Sequence, residues 1–192
     1  FPLLAGYALI GPVVAVGMYE LSRRRELGLD ISRMKAFHVL RRRAIRPISV
    51  LGLLLMVIYL AWLLVAMSLW EKIFGTVAPE SIGGFATQVF LTAEGWELII
   101  VGTGVGFLFA IAALSISVVG FPLALDRPVT VMTAASTSIK AVFSNSLVMA
   151  VWGLIVVVLL AAGAIVFLIG LAYILPILGH ATWHLYRKLV EP

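Results

Sequence analysis

Two histidines near the carboxyl end of the chain have the spacing best suited to chemistry. His180 and His184 stand at i and i+4, so on a helix their imidazoles share one face and can bind a metal ion. Two imidazoles leave such a site incomplete, but the fold could bring Asp126 or Glu191 close enough to act as a third ligand. The neighbouring Trp183 favours the other interpretation, packing and hydrogen bonding at the membrane interface. We favour the interfacial role and keep metal or haem binding as the alternative.

No other group of residues suggests catalysis or a bound cofactor. Cysteine is absent, which excludes disulfides, thiolate metal sites and thiol catalysis. The sequence shows no Ser-His-Asp order, no paired buried carboxylates and no phosphate-binding loop. Gly102 and Gly106 lack the spacing of a dinucleotide-binding loop, but they form a small-xxx-small pair that lets membrane helices approach closely. We therefore predict that the protein is not an enzyme and that this pair serves helix packing.

Basic residues are concentrated between Glu20 and Pro47. Within this segment Ile31, Met34 and Phe37 recur at helical spacing, which predicts an amphipathic helix on the membrane surface. A basic side chain near anionic lipid contributes about 1 kcal/mol. We predict contact with anionic phospholipids through Arg23, Arg24, Arg25, Arg33, Lys35, Arg41, Arg42 and Arg43. We expect no nucleic-acid binding, because no aromatic platform or DNA-binding motif accompanies these charges.

The composition identifies the elements that must hold these residues. The chain has 192 residues, of which 62% are hydrophobic and 12% are charged, whereas a soluble protein has about 25% charged residues. A membrane-spanning helix needs about 20 consecutive apolar residues. We therefore predict an all-α fold, a polytopic transmembrane helix bundle with short cytoplasmic amphipathic helices. The predicted spans are residues 1–19, 48–70, 98–125, 147–163 and 167–185.

The last apolar region allows two interpretations. No charged residue lies between Leu147 and Gly179, and as one helix this stretch would be about 50 Å long, well beyond a bilayer core of about 30 Å. As two helices, each would have about 17 residues, the lower limit for a span. Gly163 and Gly170 offer places for a break. We favour a tight hairpin that turns near 161–168, and keep one long tilted helix as the alternative.

The loop charges predict the orientation in the membrane. The loop 20–47 is strongly basic and the loop 71–97 is acidic. Because short loops rich in Lys and Arg stay in the cytoplasm, we place 20–47 and 126–146 in the cytoplasm and 71–97 outside. An apolar patch around Phe85 predicts a short interfacial helix in the outer loop. Since residue 1 is Phe, and five spans would place it outside, we expect a further span upstream.

Three phrases resemble a known but uncharacterised family. They are ALIGPVVAVGMYELSRRRE at Ala8–Glu26, ISVVGFPLALDR at Ile116–Arg127 and LGHATWHLYR at Leu178–Arg187. Together they are similar to a bacterial domain of unknown function described as predicted integral membrane proteins, some of which are labelled cytochrome c oxidase proteins. The resemblance implies a cytoplasmic amino-terminal extension and one more span. The oxidase label does not fit, because a haem–copper core needs several histidines within the membrane.

These observations favour a non-catalytic accessory subunit of a larger bacterial inner-membrane complex, respiratory or photosynthetic. None of the predicted spans has a charged residue in its middle, whereas ion-coupled transporters and pumps usually place one there. The expected partners are other membrane subunits and anionic phospholipids. A small-solute or lipid transporter is one alternative, and a metal- or haem-binding membrane protein that uses His180 and His184 is another.

Overall fold

A computed structural model describes residues 15–29, 44–75, 81–165 and 169–190. In these ranges the chain forms helices joined by short turns, and no described residue belongs to a strand. The helices are α1 (residues 15–26), α2 (Ile45–Phe74), α3 (Ile82–Leu91), α4 (Ala93–Ser117), α5 (Gly120–Asp126), α6 (Val131–Ser144), α7 (Ser146–Ile165) and α8 (Ile169–Val190). The all-α fold class is therefore confirmed.

Three helices in the described part of the chain are long and apolar enough to cross a membrane. They are Ile45–Phe74, Ala93–Asp126, which joins α4 and α5, and Ser146–Gly163. They coincide with the second, third and fourth predicted spans. The first predicted span, 1–19, lies mostly outside the described residues, and α8 occupies the position of the fifth without being among the three. The number and direction of the crossings stay predictions.

The chain divides into two compact units. The first comprises residues 1–56 and 114–192, and the second comprises residues 57–113. The core of the first unit surrounds the turn between α4 and α5, where Val119 is fully buried. The Val119 N–H donates to the buried Ser138 Oγ of α6 at 3.2 Å. A Cβ on Gly120 would lie 3.6 Å from the Ala134 carbonyl oxygen, so α5 and α6 pack with their backbones close together.

The last apolar stretch is divided between α7 and α8, which pack against each other. A Cβ on Gly163 would lie 2.8 Å from Ile174 Cδ1, and one on Gly170 would lie 2.8 Å from the Gly163 Cα. The helices approach this closely because neither glycine carries a side chain. This arrangement agrees with two helices rather than one long helix, while their membrane crossings stay predictions.

The second unit contains α3, the short helix that the sequence predicted within the loop 71–97. Ser81 caps its amino terminus by accepting the Gly84 N–H at 3.0 Å, which supplies one of the missing helical acceptors. Thr92 separates α3 from α4, because its hydroxyl donates to the Gln88 carbonyl at 2.6 Å and accepts the Gly95 N–H at 2.9 Å. Aromatic stacking then holds α3 on α2, with the rings of Trp70 and Phe85 5.5 Å apart.

Candidate functional site

Polar side chains of the first unit gather where α1, the end of α5 and α8 meet. Gly179 of α8 allows the approach to α1, since a Cβ there would lie 2.7 Å from Met18 Cβ. The i, i+4 spacing places Ser22 and Glu26 on one face of α1. The same spacing places His180 and His184 on one face of α8. We call the group the polar cluster, and its members are Ser22, Arg25, Glu26, Asp126, His180, Trp183, His184, Tyr186 and Arg187.

Arg187 is the central cation of the polar cluster. Its Nε donates to Glu26 Oε2 at 2.9 Å, and its Nη1 donates to Asp126 Oδ2 at 3.3 Å. The guanidinium carbon also lies 5.1 Å from the centroid of the Trp183 ring, within the range of a cation–π contact. One side chain of α8 thus joins α1 and α5. Arg127, adjacent to Asp126, also contributes, with its Nε 3.9 Å from the same carboxylate oxygen.

Two fully buried aromatic side chains complete the binding of these carboxylates. Trp183 Nε1 donates to Glu26 Oε1 at 2.9 Å, and the Tyr186 hydroxyl donates to Asp126 Oδ2 at 2.9 Å. Burial, together with the hydrogen bond to Asp126, raises the pKa of the Tyr186 phenol far above its ordinary value. The phenol therefore remains a protonated donor. Since both rings are 0% exposed, they give this part of the cluster a packing role.

A second carboxylate of α1, that of Glu20, binds two of the arginines that the sequence assigned to lipid contact. Glu20 is 0% exposed, and its oxygens accept Arg23 Nε at 2.8 Å and Arg24 Nε at 2.8 Å. The lipid contact of Arg23 and Arg24 stays a prediction, as does that of Arg25, which belongs to the polar cluster. The other basic residues of this prediction fall outside the described part of the chain: Arg33, Lys35, Arg41, Arg42 and Arg43.

The two histidines of α8 lie against α1. His180 Nδ1 is 2.6 Å from Ser22 Oγ, while the Ser22 hydroxyl donates to the Met18 carbonyl at 3.1 Å. Because a hydroxyl has only one proton to donate, we assign His180 Nδ1 as the donor to Ser22. His184 Nδ1 lies 3.7 Å from Glu26 Oε1. The i, i+4 pair therefore does share a face, as the spacing indicated.

These contacts provide no third ligand for a metal ion. The described residues contain no group of three or more His, Cys, Asp or Glu side chains placed to hold one. Asp126 accepts hydrogen bonds from Tyr186 and Arg187, and Glu191 lies outside the described residues. Metal binding by His180 and His184 consequently gains no support from the ligands that the sequence suggested.

A cleft of about 740 Å³ opens between α1 and α8 at the polar cluster. Its lining consists of Ser22, Arg25, Glu26, Ile177, His180, Ala181 and His184. The histidines were predictable from their spacing, whereas Ser22 and Glu26 were not singled out. Their i, i+4 spacing beside the Arg cluster was the available signal, but it did not reveal that α8 is their neighbour.

Gly102 and Gly106 lie in the second unit, along an apolar groove of about 420 Å³ between α2 and α4. A Cβ on Gly106 would lie 3.2 Å from the Trp62 ring, so this glycine accommodates an aromatic side chain. No described atom lies within 4 Å of the corresponding position on Gly102. Close packing at Gly102 therefore stays a prediction.

Residues 1–126 match the model of a protein family described as predicted integral membrane protein (DUF2189). No curated protein and no solved structure matches the chain. The matched segment includes Ser22, Glu26 and Asp126, whereas α8, which carries the histidines and Arg187, follows it. The family description names no activity, and it carries neither the bacterial source nor the oxidase label that the resemblance suggested.

Proposed function

We propose that this chain, which belongs to the DUF2189 family of predicted integral membrane proteins, is a non-catalytic accessory subunit of a larger membrane complex. The chain is an integral membrane protein with three candidate spans. We place the complex in the bacterial inner membrane, with a respiratory or photosynthetic role and with the basic loop 20–47 in the cytoplasm. Other membrane subunits and anionic phospholipids are the proposed partners.

The outward faces of the candidate spans are the observation that carries this proposal. In the most apolar stretch of Ile45–Phe74 and of Ser146–Gly163, 11% of the residues are buried within the chain, and in Ala93–Asp126 the share is 6%. Large side chains such as Leu64 and Leu154 point away from the protein and are 66% and 64% exposed. Among the described residues, these three helices thus leave most of their apolar surface for lipid or for other subunits.

The groove at Gly102 favours protein partners over lipid alone. Lipid provides no hydrophobic driving force between helices, so association in the membrane depends on close packing at small residues. Gly102 has open space where its side chain would be, and the groove beside it is lined mainly by apolar residues of α2 and α4. A partner helix that enters this groove could approach the backbone of α4.

The polar cluster supports the non-catalytic part of the proposal. Glu26 and Asp126 each accept a hydrogen bond from a buried aromatic side chain and another from Arg187. Groups of the protein itself thus bind both carboxylates, which suits a role in holding helices together.

Co-purification from native membranes tests the proposal. The chain, tagged at its chromosomal locus and extracted in mild detergent, should elute with a constant set of membrane subunits in fixed stoichiometry. Gly102→Leu should reduce this recovery several-fold because it fills the groove. Gly104→Leu is the matched control, since it adds the same side chain where no described atom lies within 4 Å and outside the groove lining. Recovery of the wild-type chain as a monomer without partners would refute the proposal.

Transport of a small solute or lipid is the second candidate function. The cleft between α1 and α8 favours it, because polar and ionisable side chains line an opening of about 740 Å³. Purified chain in proteoliposomes should then move a labelled solute or lipid faster than protein-free vesicles. The His180→Ala variant should slow this flux, and equal rates with and without protein would count against transport.

A further inference from the structure

The cleft between α1 and α8 contains a cation that the described part of the protein leaves without a partner. Arg23 and Arg24 bind Glu20, but Arg25 forms no hydrogen bond or ion pair with any described residue and lines the cleft. A guanidinium carries planar N–H donors that match the oxygens of a phosphate group. An anion in the cleft could therefore bind Arg25 without breaking a contact between Arg25 and another described residue.

The carboxylate in the cleft is already compensated. Glu26 accepts Arg187 Nε at 2.9 Å and Trp183 Nε1 at 2.9 Å. The positive charge of Arg187 lies next to the Glu26 carboxylate, so Glu26 repels a bound anion less strongly. Because Arg187 compensates Glu26, the charge that faces a ligand in the cleft is the positive charge of Arg25.

Two imidazoles of α8 line the same cleft. Ser22 fixes the ring of His180 through Nδ1, which leaves its second nitrogen free of any described partner, and the His184 ring is 64% exposed. With its proton on Nδ1, a neutral His180 ring presents an acceptor at its second nitrogen. His184 is therefore the imidazole that can donate a hydrogen bond to an anionic oxygen.

The remaining lining is apolar. Ile177 and Ala181 face the cleft from α8, and the volume of about 740 Å³ leaves room for an organic group beside a phosphate. We propose that the cleft binds a phosphate ester, with Arg25 and His184 as donors and with Ile177 beside the organic group. This assignment is independent of the accessory role but rests in part on the proposed contact with anionic phospholipids, and it concerns the isolated chain.

Binding measurements on the purified full chain test this assignment. Native mass spectrometry from phosphatidylcholine nanodiscs that contain phosphatidylglycerol measures retention of the lipid. Calorimetry with glycerol 3-phosphate and with inorganic phosphate measures binding of soluble phosphates. Retention of phosphatidylglycerol alone would assign a lipid headgroup as the ligand, whereas binding of the soluble probes would assign a free phosphate compound. The absence of binding by all three probes would overturn the proposal.

Single substitutions connect the binding to the cleft. Arg25→Gln should weaken the bound probe about tenfold, as expected for the loss of a charged hydrogen bond, and His184→Gln should weaken it less. Neither is expected to disturb the fold, because both side chains are exposed. Lys188→Gln is the matched control, since it removes the same charge from an exposed position outside the cleft. Unchanged binding by Arg25→Gln, or equal weakening by Lys188→Gln, would overturn the assignment.

Discussion

Replacement of Arg187 by Met tests how α8 is held against the rest of the first unit. The substitution keeps much of the aliphatic side chain but removes the donors to Glu26 and Asp126. Both carboxylates retain an aromatic donor, from Trp183 and Tyr186. The variant therefore leaves two carboxylates close together without the cation between them, while the packing of α8 changes little.

The expected loss of stability follows from the burial of the three charged groups. Removal of one partner from a fully buried ion pair costs about 3–5 kcal/mol. The side chains of Arg187, Glu26 and Asp126 are 21%, 30% and 10% exposed, so solvent screens part of this cost. We expect a decrease in the free energy of unfolding of about 2 kcal/mol, or about 30-fold in the unfolding equilibrium constant.

Reversible unfolding in mixed micelles, with increasing dodecyl sulfate, measures this loss. Tryptophan fluorescence follows the transition, since Trp183 is buried beside the substituted residue. Lys188→Met serves as the control on an exposed neighbouring position and should change the free energy by less than about 0.5 kcal/mol. Adding Glu26→Gln to Arg187→Met should restore part of the stability, because it removes one uncompensated charge. A change below about 0.5 kcal/mol for Arg187→Met would refute the reasoning.

Two further substitutions test the close contacts of the first unit by the same unfolding measurement. Gly163→Val should separate α7 from α8 and lower the free energy of unfolding by about 1–3 kcal/mol, since even a Cβ would lie 2.8 Å from Ile174 Cδ1. Gly104→Val is the control, because the same position on Gly104 is open. Equal effects of the two substitutions would contradict the packing argument. Ser138→Ala should cost about 1–3 kcal/mol because it leaves the buried Val119 N–H without its acceptor, whereas unchanged stability would show that the N–H has another acceptor.

Much of the helical structure was predictable because it depends on local sequence. Long apolar runs gave the three candidate spans, since a helix in lipid must satisfy its own backbone hydrogen bonds. The prediction of two helices in Leu147–Gly179 followed from the excess length of that stretch. The i, i+4 spacing placed His180 and His184 on one face of a helix, which the structure has.

The partners of these residues were decided by the tertiary structure. The carboxylate of Glu26 lies 161 positions from Arg187 in the sequence, and that of Asp126 lies 61 positions away. Helical periodicity states which side chains share a face but not which helix that face meets. Packing of α8 on α1 at Gly179 brought these groups together and formed the cleft that Arg25 lines. The sequence by itself determined the helices and the residues on their faces, and only the fold determined which faces meet, because contacts between distant segments depend on the packing of the whole unit.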